Sequence, residues 1–429
     1  MKERIAFIDG IRTPFCKAGG ALSGALADDL GAFVLSELMV RSKVPYEMID
    51  EVICGNGTMP PESANIARVI ALKSGFSKKT PAYTVQRNCA SGMEAITTAS
   101  NKILAGEADI IAVVASESMT NIPFMMDDKL KDFFTRLARA KSIPEKLKTM
   151  ISFRLGFLKP KIGLEMGLTD SFCELIMGKT AENIAREFGI YRKDQDEFAL
   201  MSHMKAAEAI RSGKLAEEII PVPIMPKFKG MQTADEGPRD NQSMEALSKL
   251  KPLFDRQLGT VTAGNACQVT DGAAATLLMR ESRAKELGLK PLGFLRDYAY
   301  AGLEGSRMGL GPVYATEKLM KKGNLRLSDF ELVELNEAFA CQVIACQRAF
   351  ESKEFAKKYF NRDQALGELA TSKINVNGGA IALGHPVGAT GLRITITLLR
   401  EMARRGQNLG LATLCIGGGQ GAALALEVK

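Results

Sequence analysis

Two stretches far apart in the chain run through the same order of local signals, and that near-repetition constrains the fold more than any other feature. Tyr83-Thr84-Val85 enters a small-residue turn from Asn88 to Gly92, then a helical pattern ending near Gly106, then a β-branched run from Ile110. Ile374-Asn375-Val376 enters a glycine-rich turn reaching Gly391, then a helical pattern ending near Gly406, then an apolar run from Leu411. Glycine just past a helix is a stop signal, because it adopts left-handed backbone at little steric cost. Both copies place it at the same point. Duplication of such a unit implies two similar α/β halves packed together.

The rest of the chain supports that class. Short apolar runs at 5–8, 51–54, 332–335 and 422–427 alternate with helix-length patterns, which is the α/β signature. Residues from about 120 to 270 break the rhythm, with Pro221, Pro223 and Pro226 close together and a polar stretch at 232–243. This part reads as an inserted loop domain. Within it Leu130, Phe133, Phe134 and Leu137 follow helical spacing. Leu147, Met150, Ile151, Leu155 and Leu158 continue a similar face after Pro144, so an amphipathic hairpin is expected near 129–161. The expected division is 1–118 with 270–291, then 119–269 as the loop domain, then 292–429.

With 429 residues and 46% hydrophobic content the chain can bury a large core. The formal charge of +7 is local: residues 129–161 hold seven Lys and three Arg against Asp132 and Glu145, leaving the remainder near neutral. A single basic segment without a reading motif argues against nucleic acid. Eight cysteines without close CxxC pairs argue against a disulfide framework or a zinc site, so no metal is expected. No leader pattern opens the sequence and no apolar run approaches the roughly 20 residues of a membrane span. The expectation is a cytoplasmic protein.

Only two histidines are available for imidazole chemistry, and their settings differ. His203 lies in plain helical periodicity and reads as structural. His385 lies in Asn377-Gly378-Gly379-Ala380-Ile381-Ala382-Leu383-Gly384-His385-Pro386, where glycine lets backbone and ligand approach closely. Cys89 sits at the strand-to-helix turn Gln86-Arg87-Asn88-Cys89-Ala90-Ser91-Gly92. Free amides and the helix dipole at such a turn are expected to lower a thiol's pKa. Cys415 ends a strand and enters Ile416-Gly417-Gly418-Gly419-Gln420-Gly421, where backbone amides can face a ligand. Alone, each cysteine fits a packed core thiol equally well.

Together these motifs, with Asn336-Glu337-Ala338-Phe339 after a buried strand, resemble the thiolase family in its own order over essentially the whole chain. Further matching stretches are Asp9-Gly10-Ile11-Arg12-Thr13-Pro14-Phe15, Gly259-Thr260-Val261-Thr262-Ala263-Gly264-Asn265 and Asp271-Gly272-Ala273-Ala274. The resemblance implies an α/β thiolase fold: two similar α-β-α-β-α halves in five layers with an inserted loop domain. It implies an acyltransferase that cleaves 3-oxoacyl-CoA, with coenzyme A as co-substrate and no permanently bound cofactor. Cys89 is the implied nucleophile, His385 its activator and Cys415 the acid/base thiol. One implied oxyanion hole pairs His385 with a water held by Asn336, and the other uses the amides of Cys89 and Gly417. Met177, Met308 and Phe339 are implied around the acyl and pantetheine groups. Cys267 stands where the family has a CoA-contacting serine, and a thiol is the poorer hydrogen-bond partner. Lys227 and Lys229 are candidates for the CoA phosphates, against the plainer reading of solvated loop charges.

The basic hairpin, with Ser202-His203, resembles β-subunits of the fatty-acid oxidation trifunctional complex, although such subunits have histidine where this chain has Asn336. That resemblance implies a degradative role on medium or long 3-oxoacyl-CoA, a hydratase/dehydrogenase partner subunit and peripheral membrane contact. A homodimer or homotetramer is implied by the family. Synthesis of acetoacetyl-CoA is the alternative direction. A decarboxylating condensing enzyme needs no acid/base cysteine after the last strand, and a non-catalytic CoA or lipid carrier needs none of the three catalytic positions.

Overall fold

The computed structural model describes residues 3–429. Its main sheet is built from β1 (Ile5–Arg12), β2 (Glu51–Gly55), β3 (Ala82–Val85), β4 (Ile110–Ser118), β5 (Thr270–Arg280), β6 (Gly293–Gly302), β7 (Leu332–Leu335), β8 (Leu409–Ile416) and β9 (Gln420–Glu427). They are hydrogen-bonded in the order β7-β8-β9-β6-β1-β5-β4-β2-β3, and the short strand Cys16–Lys17 adds to β5.

The duplication expected from the sequence is visible in the pairing. In the first half β1 is antiparallel to β5 and β5 to β4, whereas β4 is parallel to β2 and β2 to β3. In the second half β6 is antiparallel to β9 and β9 to β8, and β8 is parallel to β7. The halves join where Ile5 pairs with Leu295 and Phe7 with Gly293. The counterpart of β3 is reduced to one parallel bridge, Val333 to Ile374. Asn375 explains the loss: its backbone turns to φ 44, and its side-chain amide meets both polar groups of Leu335, at 2.9 and 2.8 Å. A side chain thus replaces the next rung of the ladder.

The helices used below are α1 (Ala27–Ser42), α2 (Ile66–Lys73), α3 (Ser91–Ala105), α4 (Asp128–Arg139), α5 (Ile143–Ile151), α6 (Met177–Glu187), α7 (Arg192–Arg211), α8 (Gly311–Gly323), α9 (Ala340–Glu351) and α10 (Val387–Arg405). Strand alternation sorts them into layers. Val52, Cys54, Ala112 and Val114 face Leu30, Val34 and Ile70 of α1 and α2. Ile53, Ile111 and Val113 face Ile96 and Ala99 of α3 and, across the middle, Leu392 and Ile396 of α10. The second half buries Val333, Leu335 and Leu411 against α8 and α9. Because both faces of each half-sheet are covered, the strands read as continuous apolar runs. α3 and α10 end as expected, at Gly106 (φ 79) and Gly406 (φ 69).

Ala181 and Ile184 of α6 and Phe198 and Ala199 of α7 join the core of the second half. α4 and α5 form the expected hairpin, yet only Leu130 and Phe133 are buried, and Ile143 and Ile151 are more than 70% exposed. Among the described residues no helix is long and apolar enough to cross a membrane.

The middle layer depends on small residues where α3 meets α10. A Cβ on Gly92 would lie 2.7 Å from the Leu392 nitrogen and 3.1 Å from the Gly388 carbonyl oxygen, both backbone atoms that cannot swing aside. Gly92→Ala is therefore expected to destabilise the fold by about 1–3 kcal/mol, the usual range for overpacking. Urea unfolding of the variant measures it; an unchanged midpoint would mean that the helices can separate freely.

Candidate active site

The packing of α3 on α10 brings the turns at their N-terminal ends together over the ends of β4 and β8. Between them lies a cavity of about 540 Å³. Cys89 enters it from the turn before α3, His385 from the turn before α10, and Cys415 and Gly417 from the end of β8. Met177, Cys267, Met308 and Phe339 also line it. Two sulfurs and one imidazole, drawn from different halves of the chain, share one space.

Asn88, in left-handed backbone at φ 45, donates from Nδ2 to the Gly417 carbonyl at 2.9 Å and accepts from Gln86 Nε2 at 2.8 Å. This bond orients the Gly417 peptide across the boundary between the halves. The amides of Gly417 and of Cys89 itself then act on the Cys89 sulfur, and both favour its thiolate. They do not prevail. Burial pushes the Cys89 thiol up to about 11, the reverse of the lowering expected from a helix start. The turn from Asn88 to Ala90 is a tight 3-10 turn ahead of α3, so the thiol meets two amides rather than an open helix end. At rest Cys89 is therefore a neutral thiol.

His385 is fixed by its neighbours. Its amide donates to Thr270 Oγ1 at 3.1 Å, and its Nδ1 lies 2.6 Å from Thr390 Oγ1. The Thr390 hydroxyl gives its one proton to the Pro386 carbonyl at 3.0 Å, so toward the ring it can only accept. Nδ1 therefore carries the proton, and Nε2 is left with a free lone pair. Burial, reinforced by Arg393, holds the imidazole down at about 4, so the ring is a neutral base at ordinary pH.

Cys415 is buried, and its thiol is pushed well above the ordinary range, first by burial and then by the neighbouring thiols Cys89, Cys346 and Cys267. Cys267 is likewise raised to about 12 by burial and by Cys89. Its amide bonds the Ala338 carbonyl at 3.0 Å, which ties it to the 336–339 loop. Asn336 is 1% exposed and is not among the residues that line the cavity. Neither polar atom of its side chain bonds a protein group, leaving both to serve something bound there.

Lys227 and Lys229 sit on an exposed turn between the short strands Val222–Pro223 and Met231–Gln232, away from the cavity wall. His203 is buried on α7 and accepts from the Arg239 amide at 3.2 Å, in keeping with a structural role. Sequence reasoning missed Thr390 and the wall formed by Met119, Ile122, Leu164 and Leu168. Thr390 carried only a partial signal: it stands four residues after Pro386, the spacing at which a helical Thr hydroxyl returns to a carbonyl. The wall carried none, since its residues read as ordinary apolar positions.

Comparison with known proteins accounts for this architecture. The family pattern described as thiolase, N-terminal domain matches residues 5–282, and that described as thiolase, C-terminal domain matches 289–428. The chain belongs to the thiolase family. It is 41% identical to a 3-ketoacyl-CoA thiolase of Yersinia enterocolitica over 428 residues, covering 100% of this chain and 97% of that protein. Among solved structures it resembles the Bacillus anthracis acetyl-CoA acetyltransferase, with TM-score 0.88, 35% identity and coverage of 100% and 99%. It also resembles human mitochondrial 3-ketoacyl-CoA thiolase in complex with CoA, with TM-score 0.85, 35% identity and coverage of 100% and 98%. This thiolase thus shares its five-layer fold with both.

Burial makes a prediction about both histidines. His203 and His385 are each lowered from 6.5 to about 4. Between those values the unfolded chain binds protons that the folded chain refuses, so stability should fall as the pH drops from 6.5 toward 4. In an NMR titration both imidazole signals should hold their neutral-form shifts through pH 6.5. A midpoint at the ordinary value for either ring would contradict the environment described.

Proposed function

We propose that this thiolase cleaves 3-oxoacyl-CoA with coenzyme A, giving acetyl-CoA and a shortened acyl-CoA through an acyl-enzyme on Cys89. The observation that carries the reading is the meeting of Cys89, His385 and Cys415 in one cavity, each in a protonation state suited to its task.

In the first half-reaction His385 Nε2 takes the Cys89 proton as the sulfur attacks the 3-oxo carbon. The bond between C2 and C3 then breaks, and its electron pair leaves as the enolate of acetyl-CoA. The Cys415 thiol, kept protonated by burial, gives its proton to C2. In the second half-reaction a CoA thiol loses its proton to the Cys415 thiolate and attacks the acyl-Cys89 thioester. Cys89 leaves as a thiolate and recovers its proton from His385. Oxyanions arise in both halves. The amides of Cys89 and Gly417 serve one, and His385 with Asn336, whose unpaired amide suits a bridging water, serves the other. Each donor is worth on the order of 3 kcal/mol in the transition state. Met177, Met308 and Phe339 contact the substrate's acyl and pantetheine parts, with Cys267 beside them. Lys227 and Lys229, exposed and outside the cavity lining, are kept as candidates for the CoA phosphates beyond its mouth.

Medium or long acyl chains are the favoured substrates. Met119, Ile122, Leu164 and Leu168 give the cavity an apolar wall suited to a longer acyl chain. The exposed Ile143, Leu147 and Ile151, set among the basic residues of the hairpin, suit an anionic membrane surface or a hydratase/dehydrogenase subunit. The free edge of β3 at the end of the sheet suits pairing with a second copy. Synthesis of acetoacetyl-CoA is the second reading, favoured by the likeness to an acetyl-CoA acetyltransferase structure. For the chain itself we retain the division at 1–118 with 270–291, 119–269 and 292–429.

Two measurements test these assignments. Cys89→Ala should give no covalent acyl adduct, whereas Cys415→Ala should acylate slowly yet fail to exchange the α-proton of acetyl-CoA; normal exchange would remove Cys415 from its role. For chain length, two further buried methylenes are worth about tenfold in kcat/KM. Thiolysis should therefore rise by about that factor from the four-carbon to the six-carbon substrate. Assays with and without anionic vesicles would read the hairpin's contribution, and strict preference for four carbons would exclude the long-chain reading.

A further inference from the structure

β4 is an apolar strand with one charge in it: Glu117, which is 0% exposed. It is not on the cavity wall, and no step of the reaction uses it. Five donors converge on its two oxygens. Asn56 Nδ2 donates at 3.0 Å, the Gly57 amide at 2.8 Å and the Thr58 amide at 3.2 Å, and the Thr58 hydroxyl donates as well. These four come from the turn that follows β2. The fifth, the Gly388 amide at 2.9 Å, comes from the other half of the molecule.

Gly388 is the second residue of α10, and the N-cap residue Pro386 offers no side-chain acceptor. Amides in a helix's first turn have no partner within the helix, and the helix dipole adds to their attraction for an anion. Glu117 therefore caps α10 from the opposite half. The bridge also dictates residue size at both its ends. A Cβ on Gly57 would lie 2.7 Å from Glu117 Oε2, and one on Gly388 would lie 2.8 Å from the same atom. Gly57, Thr58 and Val387 line the cavity beside Cys89 and His385, so the two clamped segments are themselves pieces of the site.

Resting on the thiolase reading above, we infer that Glu117 is a positioning residue. Its carboxylate clamps the Gly57-Thr58 turn of the first half to the start of α10 in the second, and so holds the His385 ring in register with Cys89. Other buried carboxylates do different work. Glu334 pairs with Arg393 at 2.9 Å, and Glu337 accepts from Ser202, Asn375 and Ile381, all outside the cavity lining.

A double-mutant cycle on the full chain separates positioning from general support. The rate of acetyl transfer from radiolabelled acetyl-CoA to Cys89 is measured in wild type, Glu117→Gln, His385→Ala and the double variant. Glu117→Gln keeps the shape but places an amide donor where five donors converge. It should slow acetylation by about tenfold to a hundredfold while leaving CoA affinity within about threefold. In the His385→Ala background the same change should have almost no further effect, because the ring to be positioned is gone. Equal losses in both backgrounds, or no loss in the first, would overturn the assignment. Should Glu117→Gln fail to fold, Thr58→Val removes one donor and keeps the carboxylate. Its smaller loss should likewise vanish without His385, and a loss that persists would overturn the assignment. Absence of any adduct in wild type would instead overturn the thiolase mechanism, and the clamp's role with it.

Discussion

The site depends on how closely α3 can lie against α10. Gly92 faces the backbone of Gly388 and Leu392, and Gly391 faces the backbone of Met93, where an added Cβ would stand 3.0 Å from the Met93 nitrogen. Side chains at these positions would hold the helices apart, and the turns that begin them would part as well. Since Cys89 belongs to one turn and His385 to the other, helix separation translates directly into distance between thiol and imidazole. Bonds from Asn88 to Gly417 and from Glu117 to Gly388 then lock a register that glycine makes accessible.

Such dependence shows what could be read from the sequence. The duplicated order of strand, small-residue turn, helix and glycine stop is local, and it translated into matching strand pairings in both halves. Cys89, His385 and Cys415 were legible because each stands at a turn whose composition is unlike a core. The β3 counterpart was less so, because the side chain of Asn375 takes over bonds that a strand's backbone would make. Helical spacing in α6 and α7 likewise shows an apolar face but not that the second half covers it. Glu117 stood out in principle as a lone charge in Ile110–Ser118, yet its partners lie 60 residues before it and 271 after it.

Electrostatics was the least legible property, and its direction was misjudged. A cysteine at a helix start suggests a stabilised thiolate, but the argument compares only donors. Here Cys89, Cys267 and Cys415 share one cavity: burial outweighs the two amides that favour the Cys89 thiolate, and at Cys267 and Cys415 the neighbouring thiols add to burial. All three are pushed upward, and the imidazole is pushed downward. A network of neutral groups results, in which charge exists only while a proton is in transit.

That neutrality has a chemical consequence. A resting thiolate–imidazolium pair would already carry the charges that the reaction must create, and amides aimed at the sulfur would be satisfied before substrate arrived. With a neutral thiol, the Cys89 and Gly417 amides retain most of their capacity for the oxyanion that forms beside them, so their effect falls on the transition state rather than the ground state. Tautomer control serves the same end. Because Thr390 can only accept from Nδ1, the one basic nitrogen is Nε2, and the proton leaving Cys89 has a fixed destination. Removing the hydroxyl at 390 would leave the ring free to take the other tautomer, with its proton on the nitrogen that must act as base.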